Sequence, residues 1–330
     1  MSTKSKRCRS MWTAGGLVVA VLFLMAVLAV PAQAQVLPQT AVPINGEIQS
    51  ITLTTPADIY SGGRIEVAGY SVILPRNLLI DLPANRLTLQ QIFKQAPAGC
   101  LAAGQSGLAK TDTCNSTGTG GFATITAVRT PAGDVIAGDV FIQKGVELVS
   151  GTVTYINYAE GYFRMNGLLN DPLTGVMVRL NDPVSRHTVQ LGAGCAGGPN
   201  CSPDPRFTLD PDNYTNTFSN GYPLCIPSTT PRTVLAPGLP ALTGIPAVPA
   251  GTSQSDTNGI GDRLCPSTNR SAAAYETAAD SRLFAPIKIG DPITAEGNFE
   301  IIGGVKFLSS HTTNVKKSMW TKKIAGQPDY

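Results

Sequence analysis

Apolar and polar positions alternate most regularly over residues 149–180, which read VSGTVTYINYAEGYFRMNGLLNDPLTGVMVRL. Val149, Val153 and Tyr155 alternate with Ser150, Thr152 and Thr154, the period of a strand with one buried face. Ala159-Glu160-Gly161 reads as a turn. Phe163 and Met165 then oppose Tyr162 and Arg164, and Val176, Val178 and Leu180 oppose Met177 and Arg179. Three strands in series with one apolar face need closure or a second layer to bury it.

The same pattern occurs earlier in the chain. Ile44-x-Gly46-x-Ile48-x-x-Ile51 matches Val149-x-Gly151-x-Val153-x-x-Ile156. Ile65-Glu66-Val67-Ala68-Gly69 matches Phe163-Arg164-Met165-Asn166-Gly167, and Val72-Ile73-Leu74 aligns with Val176-Met177-Val178. The repeat predicts two units of three strands, each completed by a later hairpin. In the first, 122–128 and 135–143 flank the turn Pro131-Ala132-Gly133-Asp134. In the second, 287–293 leads to 300–302 and 305–308 around Gly303-Gly304. A Gly-Gly pair suits a tight primed turn, whose central residues need positive φ.

Each unit is therefore interrupted after its third strand, by 77–121 in the first and 181–283 in the second. The first insertion contains a predicted helix over 88–94, with Leu89, Ile92 and Phe93 on one side. The second contains a Pro-rich stretch over 227–249 and a predicted helix over 272–280. The tail 312–330 loses the alternation.

The amino terminus changes the picture of location. Lys4, Lys6, Arg7 and Arg9 precede the apolar run 15–30, and Ala32-Gln33-Ala34 follows it. That order predicts a secretory signal peptide over 1–34, with an uncleaved membrane anchor as the alternative that the small-residue cleavage site argues against. Removing its four basic residues takes the formal charge from +3 to −1, which gives no electrostatic reason for a nucleic-acid partner. No later stretch is long and apolar enough to span a bilayer as a helix. Cys8 leaves with the signal, and Cys100, Cys114, Cys195, Cys201, Cys225 and Cys265 remain. An even set in an exported chain points to disulfides. Nearest-neighbour pairing is expected, because each bond would then staple one loop.

The segments VSGTVTYIN, YFRMNG, VMVRL and IKIGDPITAEGNFEIIGGVKFL resemble small OB-like β-barrel modules of uncharacterised exported bacterial proteins. The segment 179–229 resembles exported proteins of the same kind, and neither likeness brings a known chemistry with it. The expected fold is mainly β: two OB-like five-stranded barrel units in tandem, over 35–145 and 146–311, each with a long disulfide-stapled insertion.

Candidate chemistry is sparse. Asp182, Ser185 and His187 lie too close in one segment to form a triad readily, and the spacing fits a polar turn. Glu160 sits on a hairpin tip with no defined carboxylate partner. Tyr155, Tyr158 and Tyr162 gather on the first hairpin of the second unit and could offer an aromatic platform to a ligand. Asp204, Asp210, Asp212 and Asn213 crowd one loop with the oxygen ligands that calcium takes, though Asp-Pro turns explain part of that pattern. No other cofactor is indicated. The expected function is a non-enzymatic protein of the cell envelope or extracellular space, binding a protein or glycan surface through its inserted loops. The alternative is a polymer-degrading hydrolase using insertion carboxylates.

Overall fold

A computed structural model describes residues 38–330 except 116–117, 196–200, 203, 211–214, 231–261, 272–275, 322 and 330. The signal peptide expected over 1–34, most of the Pro-rich stretch, Asp212 and Asn213 lie outside the described residues.

The first repeat forms β1 (Thr40–Leu53), β2 (Gly63–Val67) and β3 (Tyr70–Leu74). Its insertion begins with the hairpin β4 (Leu79–Asp81) and β5 (Arg86–Thr88), and the unit ends with β6 (Phe122–Arg129) and β7 (Val135–Gln143). The hydrogen-bonded order is β3-β2-β1-β6-β7, and β3 also pairs with β7 in parallel, Val72 opposite Val135. Five strands thereby close on themselves, which removes the exposed edges of an open sheet.

The second unit repeats this with β8 (Glu147–Asn157), β9 (Tyr162–Met165) and β10 (Val176–Leu180). Its insertion carries the short strands β11 (Asn216–Phe218), β12 (Leu224–Cys225), β13 (Thr277–Ala278) and β14 (Ala285–Pro286). The closing hairpin is β15 (Pro292–Ile302) and β16 (Val305–Val315), turned by Gly303 and Gly304 at φ +58° and +80°. The order β10-β9-β8-β15-β16 closes through a parallel pairing of Val178 with Leu308.

The repeat holds at the level of register. Between the first two strands of each barrel the ladder slips, after Ile48 in one and after Val153 in the other. The two-residue gap before Ile51 and Ile156 is thus a β-bulge, one extra residue that keeps both isoleucines pointing inward. Ile51 lies opposite Ile65 as Ile156 lies opposite Phe163. The third-strand alignment needs a correction. Val72 pairs with Ile65 and Val178 pairs with Phe163, so Val72 corresponds to Val178 rather than Val176. Ala68-Gly69 alone joins β2 to β3, whereas the loop 166–175 joins β9 to β10, and that difference displaces the spacing.

Each barrel has its own core. In the first, Ile48, Ile65, Val72 and Val140 meet Leu89 and Ile92 from the helix Leu89–Lys94. Thr88 caps that helix: its Oγ1 accepts from Gln91 N at 3.2 Å, and Gln91 Oε1 accepts from Thr88 N at 2.9 Å. In the second, Val153, Phe163, Val178 and Leu308 are joined by Phe218, Tyr222, Leu224 and Ile226 of the insertion. The second insertion also reaches the first barrel. Phe207 is buried in the first core, and Arg206 Nη1 donates to Ile92 O and Ser106 O, each at 2.8 Å.

The disulfides pair Cys100–Cys114, Cys195–Cys201 and Cys225–Cys265, with Cα separations of 5.0, 4.0 and 5.9 Å. Three such bonds indicate an oxidising, extracytoplasmic location. No helix among the described residues is long and apolar enough to cross a membrane.

Two expectations change. The described part of 272–280 includes strand β13, which pairs in parallel with β17 (Trp320–Thr321), so tertiary pairing overrides helix propensity there. The tail does not end its β structure at 311: β16 runs to Val315, because Thr313 and Val315 are buried between β15 and β11.

Candidate functional site

OB-like barrels take ligands on the outer face of their second and third strands, between flanking loops. This chain builds that face twice. The register places Arg64 and Tyr162 at one equivalent position, and Ile73 and Arg179 at another.

On the second barrel the face is sealed by the chain itself. Arg179 is only 1 % exposed. Its Nη1 donates to Glu160 O at 2.8 Å, its Nη2 to Leu191 O at 2.8 Å, and its Nε to Ala193 O at 3.1 Å. The guanidinium lies 5.1 Å from the Tyr162 ring centroid and 6.0 Å from that of Phe307. Burial pushes its pKa down to about 10, with Glu160 pulling the other way, so it stays charged at neutral pH. The loop comes this close because Gly192 and Gly194 have φ of +75° and +83°. A Cβ on Gly194 would sit 2.9 Å from the Phe307 ring. Glu160 Oε2 accepts from Ala193 N at 3.0 Å, and the Cys195–Cys201 bond closes the loop over Tyr162, Met177 and Phe307. Glu160 is therefore part of the seal and not a free hairpin tip.

On the first barrel the same face is open. Arg64 and Glu66 of β2 and Ser71 of β3 are exposed, and Ile73 is half-buried. Arg64 Nη1 donates to Ser71 Oγ at 3.3 Å. Ile73 lies opposite Ile136, which lies opposite Val128, so an aliphatic stripe continues around the barrel. Two exposed tyrosines lie near the ends of β3, Tyr70 at the barrel end in register with the inward Val67 and not on the strip itself. Tyr70 begins β3, beside the turn that feeds β7. Tyr60, in the β1–β2 loop, stands by the far end of β3, where its carbonyl accepts from Asn77 N. The strand between them spans roughly 13 Å at about 3.3 Å per residue. Arg76 lies 5.9 Å from the Tyr60 ring centroid and bonds Asp58 at 2.9 Å. The Tyr60 N–H and then Arg76 hold the Asp58 carboxyl below its usual range.

The residues singled out from sequence are placed elsewhere. Tyr162 is buried under Arg179, and Tyr155 is half-buried with its ring centroid 6.2 Å from that of Tyr162. Tyr158 packs against the second core. Burial raises the hydroxyl pKa of Tyr155 and Tyr158. These rings belong to the seal and the core, and among the described residues the exposed tyrosines are Tyr60 and Tyr70 of the first barrel. Of the proposed calcium ligands, Asp204 is fully buried, with both carboxylate oxygens taken by Arg206 at 2.8 Å. Burial would raise its pKa, but Arg206 and Lys144 hold it low. The Asp210 N–H donates to Thr215 Oγ1 at 2.9 Å. Among the described residues no group of three or more His, Cys, Asp or Glu side chains gathers as a metal site.

Several described carboxylates in and beside the insertions are paired within the fold. Asp81 pairs with Arg86, Asp112 binds Ser106, and Asp280 pairs with Arg282. Asp262 accepts from Ser228 N and Cys265 N. Glu276 and Asp291 pair with the buried Arg270, and Lys317 of the tail joins them. His187 Nδ1 lies 2.7 Å from Leu224 O, and its ring stacks on Phe284 at 4.6 Å.

Comparison with protein-family models, with curated proteins and with solved structures found no match.

Proposed function

We propose that this is an exported, non-enzymatic protein of the cell envelope or extracellular space that binds a glycan surface along the open strip of its first barrel. The observation that carries this reading is the contrast between equivalent faces. One is filled by Arg179 and its loop; the other leaves Arg64, Glu66 and Ser71 to solvent, with the exposed Tyr60 and Tyr70 near the two ends of β3. Exposed aromatic rings offer apolar faces to sugar rings, and neighbouring hydroxyl, guanidinium and carboxylate groups match sugar hydroxyls. The mixed charge of Arg64 and Glu66 does not suit a polyanionic nucleic acid. Export through the 1–34 signal supports the location, together with the three disulfides. The insertions then act as clamps: they cover the second face and latch the barrels together through Arg206.

The test is retention of the purified protein on a glycan array and on isolated cell-envelope polysaccharide. The triple variant Tyr60→Ala, Tyr70→Ala, Arg64→Ala should melt like the wild type and bind at least about tenfold more weakly. Equal binding by both proteins would remove the strip from the function. Retention on envelope proteins but on no glycan would replace the glycan with a protein surface.

A further inference from the structure

The second barrel holds a group of buried oxygen atoms with nothing to accept. Asn181 Oδ1, Asp182 Oδ1, Gln190 Oε1 and Asn216 Oδ1 have no hydrogen-bond partner among the described residues, and their side chains are at most 3 % exposed. Native proteins rarely leave such acceptors unpaired, and each exception points to a strained, catalytic or ligand-filled place.

The topology brings the four together. β10 and β11 lie end to end along the same edge of β16, pairing with Leu308–Ser310 and Thr313–Val315 respectively. Asn181 and Asp182 leave the end of β10, and Asn216 opens β11. Their backbone and amide anchors are neighbours: Asn181 N donates to Ser310 O at 2.8 Å, and Asn216 Nδ2 to His311 O at 3.5 Å. Gln190 returns to the same place, its Nε2 donating to Leu180 O at 2.7 Å.

The chemistry selects the missing partner. Each amide nitrogen is already pinned to a carbonyl, Asn181 Nδ2 to Phe207 O at 2.8 Å, so none of the three amides can turn its nitrogen inward without losing a bond. These four side chains therefore present only acceptors. Asp182 adds a negative charge at 0 % exposure; its Oδ2 accepts from His187 N and Thr188 N, and no Lys or Arg among the described residues bonds it. A water molecule supplies two donors but leaves the buried charge uncompensated. A cation satisfies oxygens and charge together, and carboxylate and amide oxygens are the ligands hard cations take. We propose that the notch between β10 and β11 binds a hard cation through Asn181, Asp182, Gln190 and Asn216. These ligands share no member with the Asp204–Asn213 set, and the proposal does not depend on the open strip of the first barrel.

The experiment unfolds the full chain in chelator with its disulfides intact and refolds it with calcium, sodium or potassium alone. Elemental analysis after gel filtration should find one ion per chain for at least one of these cations. The same cation, at about a hundredfold excess over its dissociation constant, should raise Tm by roughly 5 °C. Asp182→Asn keeps the shape and removes the charge, so it should abolish the rise. If that variant does not fold, Gln190→Met removes one oxygen and should weaken binding at least about tenfold. A wild-type Tm indifferent to all three cations with no ion retained, or a full rise kept in either variant, overturns the site and leaves ordered water only.

Discussion

The two barrels share a strand order, a bulge position and a parallel closure, and they differ in what lies on one face. At the position where the first carries Ile73, the second carries Arg179. The isoleucine needs only partial cover. The arginine needs carbonyl acceptors and takes three from its own chain, which draws the 191–195 loop down over Tyr162. A duplicated scaffold has thus put one copy of its face to internal use and kept the other outward. The lesson concerns insertions generally: a loop long enough to recognise a partner can instead be the partner, filling the groove of the barrel that carries it.

The most damaging way to break the comparison is Arg179→Ala. It would leave the carbonyls of Glu160, Leu191 and Ala193 without a donor and open a void between Tyr162 and Phe307. We expect a loss of about 3–5 kcal/mol in urea denaturation. The equivalent Ile73→Ala should cost about 1 kcal/mol, because that side chain is only half covered. Equal costs at the two positions would mean that the seal is not what distinguishes the barrels.

Acid should separate them next. Both histidines of the chain, His187 and His311, lie in the second barrel or its insertion, and none lies in the first. Burial pushes His311 down to about 4 from an ordinary 6.5, with Glu296 opposing the shift. The unfolded chain therefore takes up this proton first as pH falls. Stability is complete above pH 6.5 and is lost progressively toward pH 4, by up to about 3 kcal/mol. Melting curves at pH 7 and pH 4.5 check the direction. His311→Gln should flatten that dependence, and a first-barrel transition that shifts equally in both proteins would assign the acid effect elsewhere.

Cys195→Ser with Cys201→Ser should cost about 2 kcal/mol, the loop-closure value for so short a loop. Its sharper consequence is local. The cover over Tyr162 should loosen, so nitration of Tyr162 should approach the rate of Tyr60, which is already exposed. Peptide mapping after tetranitromethane treatment reads both sites at once. A Tyr162 that stays protected would show that Arg179 holds the loop without the disulfide.

The scaffold was legible in the sequence because strand alternation, the two-residue gaps before Ile51 and Ile156 and the Gly303-Gly304 turn are local signals. Disulfide pairing followed from spacing, and the helix at Leu89–Lys94 from its apolar side, Leu89, Ile92 and Phe93. The seal was not legible. Arg179 reads as an ordinary polar strand position, since alternation assigns outward residues to solvent and cannot foresee a loop that returns to cover them. The glycines at 192 and 194, both at positive φ, are the one local trace of the seal in the sequence. The same blindness put the aromatic platform on Tyr155, Tyr158 and Tyr162. Alternation separates inward from outward faces but not covered from uncovered outer ones, so the burial of Tyr162 under Arg179 was not foreseeable. Asp204 misled for a related reason, as its partner Arg206 lies two residues away but matters through contacts with Ile92 and Ser106 in the other barrel.

The smallest expected effect lies where the second barrel is the more exposed of the two. Ala68-Gly69 in the first becomes the loop 166–175 in the second, which holds Leu168, Leu169 and Leu173 outward at 67 %, 69 % and 83 % exposure. The loop is shaped by its own bonds. Leu168 N donates to Thr174 Oγ1, Leu173 N to Asp171 Oδ1 and Asn170 N to Thr154 O, each at 2.8 Å. Its conformation owes little to the leucines, so replacing all three by serine should change stability by less than about 0.5 kcal/mol per site. Glycan retention through the first barrel should be unchanged, because the strip and this loop belong to different barrels. A fall in Tm beyond about 5 °C would show that the leucines pack within the chain. Lost retention at unchanged Tm would instead move the binding surface from the first barrel to the second.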